Sequence, residues 1–73
     1  DRILWIKNQM TLTDCQCEYI REREDSYLGA SGFGFGDIFD DMGQHLARIS
    51  YNGRLWSPVP RTPEMLPLAE APQ

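Results

Sequence analysis

A chain of 73 residues with a formal net charge of −4 is a single small domain, and its acidity disfavours nucleic acid as its ligand. A domain of this length buries only about 60% of its unfolded surface, so self-association is a common reinforcement. No apolar run approaches the ~20 residues of a membrane span and no secretory leader is visible, so no membrane partner is expected and the expected compartment is the cytoplasm.

The chain starts at Asp1 rather than Met, which suggests a trimmed or processed N-terminus. Arg2 to Lys7 (Arg-Ile-Leu-Trp-Ile-Lys) is a short apolar run with charged ends. Ile3 and Trp5 alternate with Leu4 and Ile6, so both sides are apolar, which predicts a buried strand or an edge that a partner covers. Met10 to Thr13 is expected to continue it after a bend at Asn8-Gln9.

Asp14 to Asp25 has two readings. As a strand, Cys15, Cys17 and Tyr19 share one side, and Gln16, Glu18, Ile20 and Glu22 the other. As a helix, Thr13 is the N-cap, Gln16 completes a capping box, and Cys17, Ile20 and Tyr27 form a thin stripe with a gap from Arg21 to Ser26. Strand is the favoured reading. Cys15 and Cys17 stand two apart, a poor geometry for a disulfide. With no Cys-x-x-Cys pair there is no zinc signature, and free thiols suit a reducing compartment.

Ser26 to Gly36 contains four glycines and is expected to form a short strand at Tyr27 to Ala30 and then a flexible loop. Gly32-Phe33-Gly34-Phe35-Gly36 lacks the Lys-Ser/Thr ending of a phosphate loop and the strand-then-helix setting of a dinucleotide site. Its phenylalanines point to packing. Either one, if exposed, is a candidate hot spot for a protein partner.

Gly36 to Pro58 reads as two successive β-hairpins. Asp40-Asp41-Met42-Gly43 is a turn, with Asp at its start and Gly at the left-handed position. It pairs Phe39 with His45 and Ile38 with Leu46. Asn52-Gly53 suits a two-residue type I′ turn, which pairs Tyr51 with Arg54, Ile49 with Trp56, and Ala47 with Pro58. Phe39, Ala47, Ile49 and Trp56 then line the expected core face, and Ile38, Leu46 and Leu55 the other. The last sixteen residues, Pro58 to Gln73, hold all five prolines. They are expected to run extended, with a helical turn at Pro63 to Leu66, and to pack through Met65, Leu66 and Leu68 on the domain or on a neighbouring subunit.

Charge is unevenly spread. Asp14 to Asp41 holds eight acids and two arginines, whereas Met42 to Pro63 holds Arg48, Arg54, Arg61 and His45 and no acid. The favoured account is neutralisation within one sheet, and the next is opposite patches meeting across a subunit interface. Asp37, Asp40 and Asp41 are a weak candidate for a hard cation, since the turn already explains two of them. His45 beside Asp40 or Asp41 lacks a placed nucleophile among Ser50, Cys15 and Cys17. Trp5, Trp56, Tyr19, Tyr27 and Tyr51 with Arg21, Arg23 and Arg54 form a weak stacking platform for single strands.

The expected fold is a mostly β domain over residues 1–57, a small antiparallel sheet or incomplete barrel of five to six short strands, followed by the proline-rich tail. The expected function is a non-enzymatic protein-protein interaction module, a homo-oligomer or the ligand of another protein, with no cofactor and no metal. Its expected contacts are Trp5, Phe33, Phe35, Met65 and Leu66, with Arg48 and Arg54 supplying charge complementarity. One alternative is a binder of single-stranded nucleic acid or another anion on the Arg48, Arg54 and Arg61 face. Another is an acidic nucleic-acid mimic built from Glu18, Glu22, Glu24, Asp25, Asp37, Asp40 and Asp41.

Overall fold

The computed structural model describes residues 2–59 and 64–72; Arg61 and the first residue of the expected turn at Pro63 lie outside them. In chain order the elements are β1 (Arg2–Trp5), α1 (Leu12–Ser26), α2 (Ala30–Phe33), β2 (Gly36–Phe39), β3 (His45–Ile49) and β4 (Leu55–Trp56). The strands form one open sheet in the order β1-β2-β3-β4. β1 is parallel to β2, and the other two pairings are antiparallel. The expected small sheet is present and two of its three pairings are antiparallel; the parallel β1–β2 pairing, the count of four strands and the two helices correct the mostly β, wholly antiparallel or barrel-like part of the expectation. Parallel neighbours need a long crossover, and α1 occupies it.

Residues 12–26 are therefore helical, not extended. The N-cap is Thr11, two residues earlier than the sequence suggested. Its Oγ1 accepts from the Asp14 amide at 3.1 Å, and Asp14 Oδ2 accepts from the Thr11 amide at 2.9 Å, a reciprocal capping box. The inward stripe runs Leu12, Cys15, Gln16, Tyr19, Ile20 and Arg23, at the spacing of one helical face. The helix ends at Tyr27, whose backbone is left-handed (φ 60°). The expected strand at 27–30 is absent, and α2 starts at Ala30.

The helices cover one face of the sheet. Leu4, Ile38, Ala47, Ile49 and Leu55 from the strands meet Cys15 and Tyr19 of α1 and Phe33 of α2 in a single core. Gly36 sets how closely α1 approaches: a Cβ there would lie 2.8 Å from the Tyr19 ring and 3.0 Å from Leu4.

Both hairpins form, with corrected registers. The Asp40 amide donates to Gln44 and the Gly43 amide to Asp40, closing the first turn as expected, and Phe39 faces His45. An irregularity then makes Ile38 face Ala47 rather than Leu46. In the second turn the Ser50 amide donates to Arg54 and the Gly53 amide to Ser50, and Gly53 alone takes positive φ (89°). The loop is therefore three residues, Tyr51 to Gly53. Ile49 pairs with Leu55 and Arg48 with Trp56, one residue from the expected register. A one-residue slip exchanges the faces. Ile38 and Leu55 are thus core residues, and Phe39 and Trp56 lie on the opposite side.

Residues 68–69 run along the outer edge of β4. The Leu55 amide donates to the Ala69 carbonyl at 2.9 Å, and the Leu68 amide donates to the Leu55 carbonyl at 2.7 Å.

On a helix, Cys15 and Cys17 point to opposite sides, so Cys15 is buried and Cys17 exposed. Burial, followed by the charges of Glu18 and Asp14, pushes the Cys15 thiol up from its ordinary pKa. Titration with a thiol-reactive chromophore at pH 8 is expected to consume Cys17 alone in the native protein and both cysteines in urea. Equal rates in the native state would contradict the buried placement. The same shift gives a sign to alkaline stability. Above about pH 8.5 the unfolded thiol loses its proton while the native one keeps it, so stability falls as pH rises.

Candidate protein-interaction face

The sheet face that the helices leave uncovered carries three of the exposed large apolar side chains, Ile3, Trp5 and Phe35. Strand alternation, reset in β3 by the extra residue at Leu46, puts Ile3 and Trp5 of β1, Asp37 and Phe39 of β2, His45 and Arg48 of β3 and Trp56 of β4 on this side, with Phe35 just ahead of β2. The Trp5 and Phe39 rings are 5.5 Å apart, and His45 stacks on Phe39 at 4.8 Å. The result is an aromatic row across three strands. Ile3 is 61% exposed, Trp5 47% and Phe35 41%.

A charged row lies beside the aromatic one. Asp37 Oδ1 accepts from Arg48 Nε at 2.9 Å. His45 Nε2 is 3.2 Å from the same oxygen but is not aligned for a hydrogen bond. The Arg48 guanidinium stands over the Phe35 ring at 4.8 Å. Trp56 Nε1 donates to Ser50 Oγ at 2.9 Å. The depression among Phe35, Arg48, Trp56 and Val59 holds ≈ 80 Å³. Sites for metabolites or cofactors occupy roughly 300–1,000 Å³, so this one has room for a single side chain.

The structure separates the residues expected at the contact. Trp5, Phe35 and Arg48 come together on the open face. Phe33 does not: it is 3% exposed, edge-on to Tyr19 with ring centroids 5.1 Å apart, and the Arg2 guanidinium lies 4.1 Å over its ring. α2 turns it inward, which removes it as a surface contact. Arg54 sits at the second turn and donates to Glu70 at 2.9 Å. Met65 is partly buried and Leu66 is 83% exposed on the C-terminal segment. Phe39 and Ile3 belong to the face without having been singled out. Ile3 was detectable from its alternation with Trp5, whereas Phe39 was hidden by the bulge that reverses its side.

The ion pair of Asp37 with Arg48 joins the acidic stretch to the basic one within the sheet. Glu22 meets Arg2 at 3.4 Å, and Glu24 lies 3.8 Å from Arg23. Asp40 Oδ1 accepts from the Met42 and Gln44 amides, so its carboxylate is engaged by the turn and not by His45. Arg23 donates to the Tyr51 carbonyl. Ser50 lies at the opposite end of β3 from His45, and Cys15 is in the core. Among the described residues no three His, Cys, Asp or Glu side chains form a metal-binding group, and no helix is long and apolar enough to cross a membrane.

Comparison with protein-family models, curated proteins and solved structures gave no match.

Proposed function

We propose that this chain is a non-enzymatic protein-protein interaction module that works as a self-associated assembly, with the Trp5 side of the uncovered sheet face as its contact surface. The observation that carries this reading is the one-sided cover of the sheet: Ile3, Trp5 and Phe39 form an apolar and aromatic surface over which no helix of the described residues lies. Apolar patches of this kind mark interfaces, and aromatic anchors dominate their energetics. The central charges favour a second copy over a strongly charged partner. Asp37 and Arg48 balance one another, so the face offers no excess of either sign. A two-fold contact needs such a self-complementary patch. The reducing cytoplasm suits the two free thiols.

The test is solution mass by sedimentation across a range of concentrations. The wild-type chain is expected to exceed one chain mass, and Trp5→Ala to raise the dissociation constant about thirtyfold, the effect of losing a 2 kcal/mol anchor. A concentration-independent monomer overturns the reading. Salt-sensitive binding of an oligothymidylate that Arg54→Ala abolishes would replace it with the nucleic-acid alternative. Against that alternative, Arg48 is held by Asp37 and Arg54 by Glu70.

A further inference from the structure

We propose that two copies of this chain join edge to edge, β1 pairing antiparallel with β1 of the second copy, so that two four-stranded sheets become one continuous sheet. This rests on the self-association reading above and narrows its contact to the Ile3–Trp5 margin of the face, with Phe39, Asp37 and Arg48 outside the pairing.

The backbone of β1 supports this pairing. The Arg2 amide donates to the Phe35 carbonyl and the Ile6 amide to the Phe39 carbonyl, so even-numbered residues of the strand direct their amides at β2. By alternation, the amides and carbonyls of Ile3 and Trp5 point away from the sheet. β1 has β2 as its only strand neighbour among the described residues. An edge of this kind is a template for another strand, and chains ordinarily blunt it with lysine, proline, a bulge or a covering segment. β1 is only four residues long and begins with the charged Arg2, both of which blunt an edge, but from Ile3 to Trp5 it carries no charge and no proline, and its register with β2 is regular. The opposite edge is treated differently, since residues 68–69 cover β4 at Leu55.

That asymmetry selects the occupant and the stoichiometry. With one edge covered and one open, edge pairing between copies uses β1 on both. The contact is then two-fold and stops at two chains, whereas two open edges would propagate. Register follows from the exposed side chains. Antiparallel pairing centred on Leu4 places Ile3 opposite Trp5 of the second copy, and Trp5 opposite Ile3. The outward amides and carbonyls of each meet those of the other, and the strand's two exposed apolar side chains become cross-strand neighbours that cover each other. The Trp5–Phe39–His45 row of each copy then lies on a shared face.

The experiment combines solution mass with amide exchange on the intact chain. In the wild type, mass is expected to double with concentration. The Ile3 and Trp5 amides are expected to become protected over the same range, and a Leu4 Hα to Leu4 Hα contact to appear between labelled and unlabelled copies. Ile3→Pro removes an outward amide at an edge position that tolerates proline, and is expected to return the mass to one chain with an unchanged circular dichroism spectrum. Three results overturn the edge pairing. If the doubled species leaves Ile3 and Trp5 amides in fast exchange, the pairing is wrong whether or not the proline variant folds. If folded Ile3→Pro remains dimeric while Trp5→Ala does not, the copies meet face to face and self-association survives without the edge. If the wild type has one chain mass at every concentration, both readings fall.

Discussion

Tyr19→Ala is expected to lower stability by about 3–5 kcal/mol, the range for deleting a large buried aromatic. For a chain of this length that is a large part of the whole, since folded domains retain only about 0.05–0.15 kcal/mol per residue. Tyr19 is fully buried between α1 and the sheet. Its ring packs edge-on against Phe33, lies over the space that Gly36 leaves free, and its hydroxyl donates to the Gly34 carbonyl at 2.7 Å. One side chain thus ties α1 to α2 and to β2. Tyr19→Phe keeps the ring and loses only that hydrogen bond, at a cost of about 1 kcal/mol. Urea denaturation of the three proteins checks the order. A Tyr19→Ala variant within 1 kcal/mol of wild type would mean that α1 is not docked through this residue. Burial pushes the Tyr19 phenol up from its usual pKa, with Arg23 opposing. Above about pH 10 the unfolded phenol ionises while the native one keeps its proton. Wild-type stability therefore falls with rising pH in that range, and Tyr19→Phe flattens the fall.

The turn chemistry and the apolar character of Arg2 to Lys7 were legible in the sequence, because each depends on residues close together in the chain. Asp40 and Gly43 close a turn in almost any context. The faces were not legible. Whether Phe39 or Ile38 enters the core depends on a bulge, and no residue type announces one at Leu46. Asn52-Gly53 is compatible with a two-residue or a three-residue loop, and the choice between them moves Trp56 from the core to the open face. The helix was obscured for a different reason. Its inward stripe contains Gln16 and Arg23, polar residues that an apolar periodicity count rejects. They face inward because the carbonyls of Gly53, Glu70 and Tyr51 receive them, and those partners are distant in sequence. Trp5 and Phe35, both expected at a contact, are exposed on the open face, and neither position depends on the register of the hairpins. Phe33 was misread because a four-residue helix beginning at Ala30 reverses the direction that an extended Gly-Phe-Gly-Phe run implies.

Gln16→Leu is expected to cost about 2–4 kcal/mol, the penalty of leaving two carbonyls without a donor where at least one is buried. Gln16 Nε2 donates to Gly53 O at 2.9 Å and to Glu70 O at 3.1 Å. A single amide therefore holds the first half of α1 against both the second hairpin turn and the C-terminal segment. Neither carbonyl has an obvious substitute donor from α1, because the neighbouring inward side chains are Cys15, Tyr19 and Ile20. Gln16→Glu separates donation from shape. At neutral pH its carboxylate would set a buried charge against two acceptors, so it is expected to be less stable than Gln16→Leu. On acidification the carboxyl gains a proton and becomes a donor, so the deficit relative to wild type shrinks as pH falls through a pKa above the usual 4.3 of glutamate. Hydrogen exchange gives the local readout. The Leu68 amide, which donates to Leu55 on the edge of β4, is expected to lose protection in both variants before the β2–β3 amides do. Retained protection at Leu68 with a lowered midpoint would show that the segment is held by its strand pairing alone. A pH-independent gap between Gln16→Glu and wild type would remove the two-acceptor account of this site.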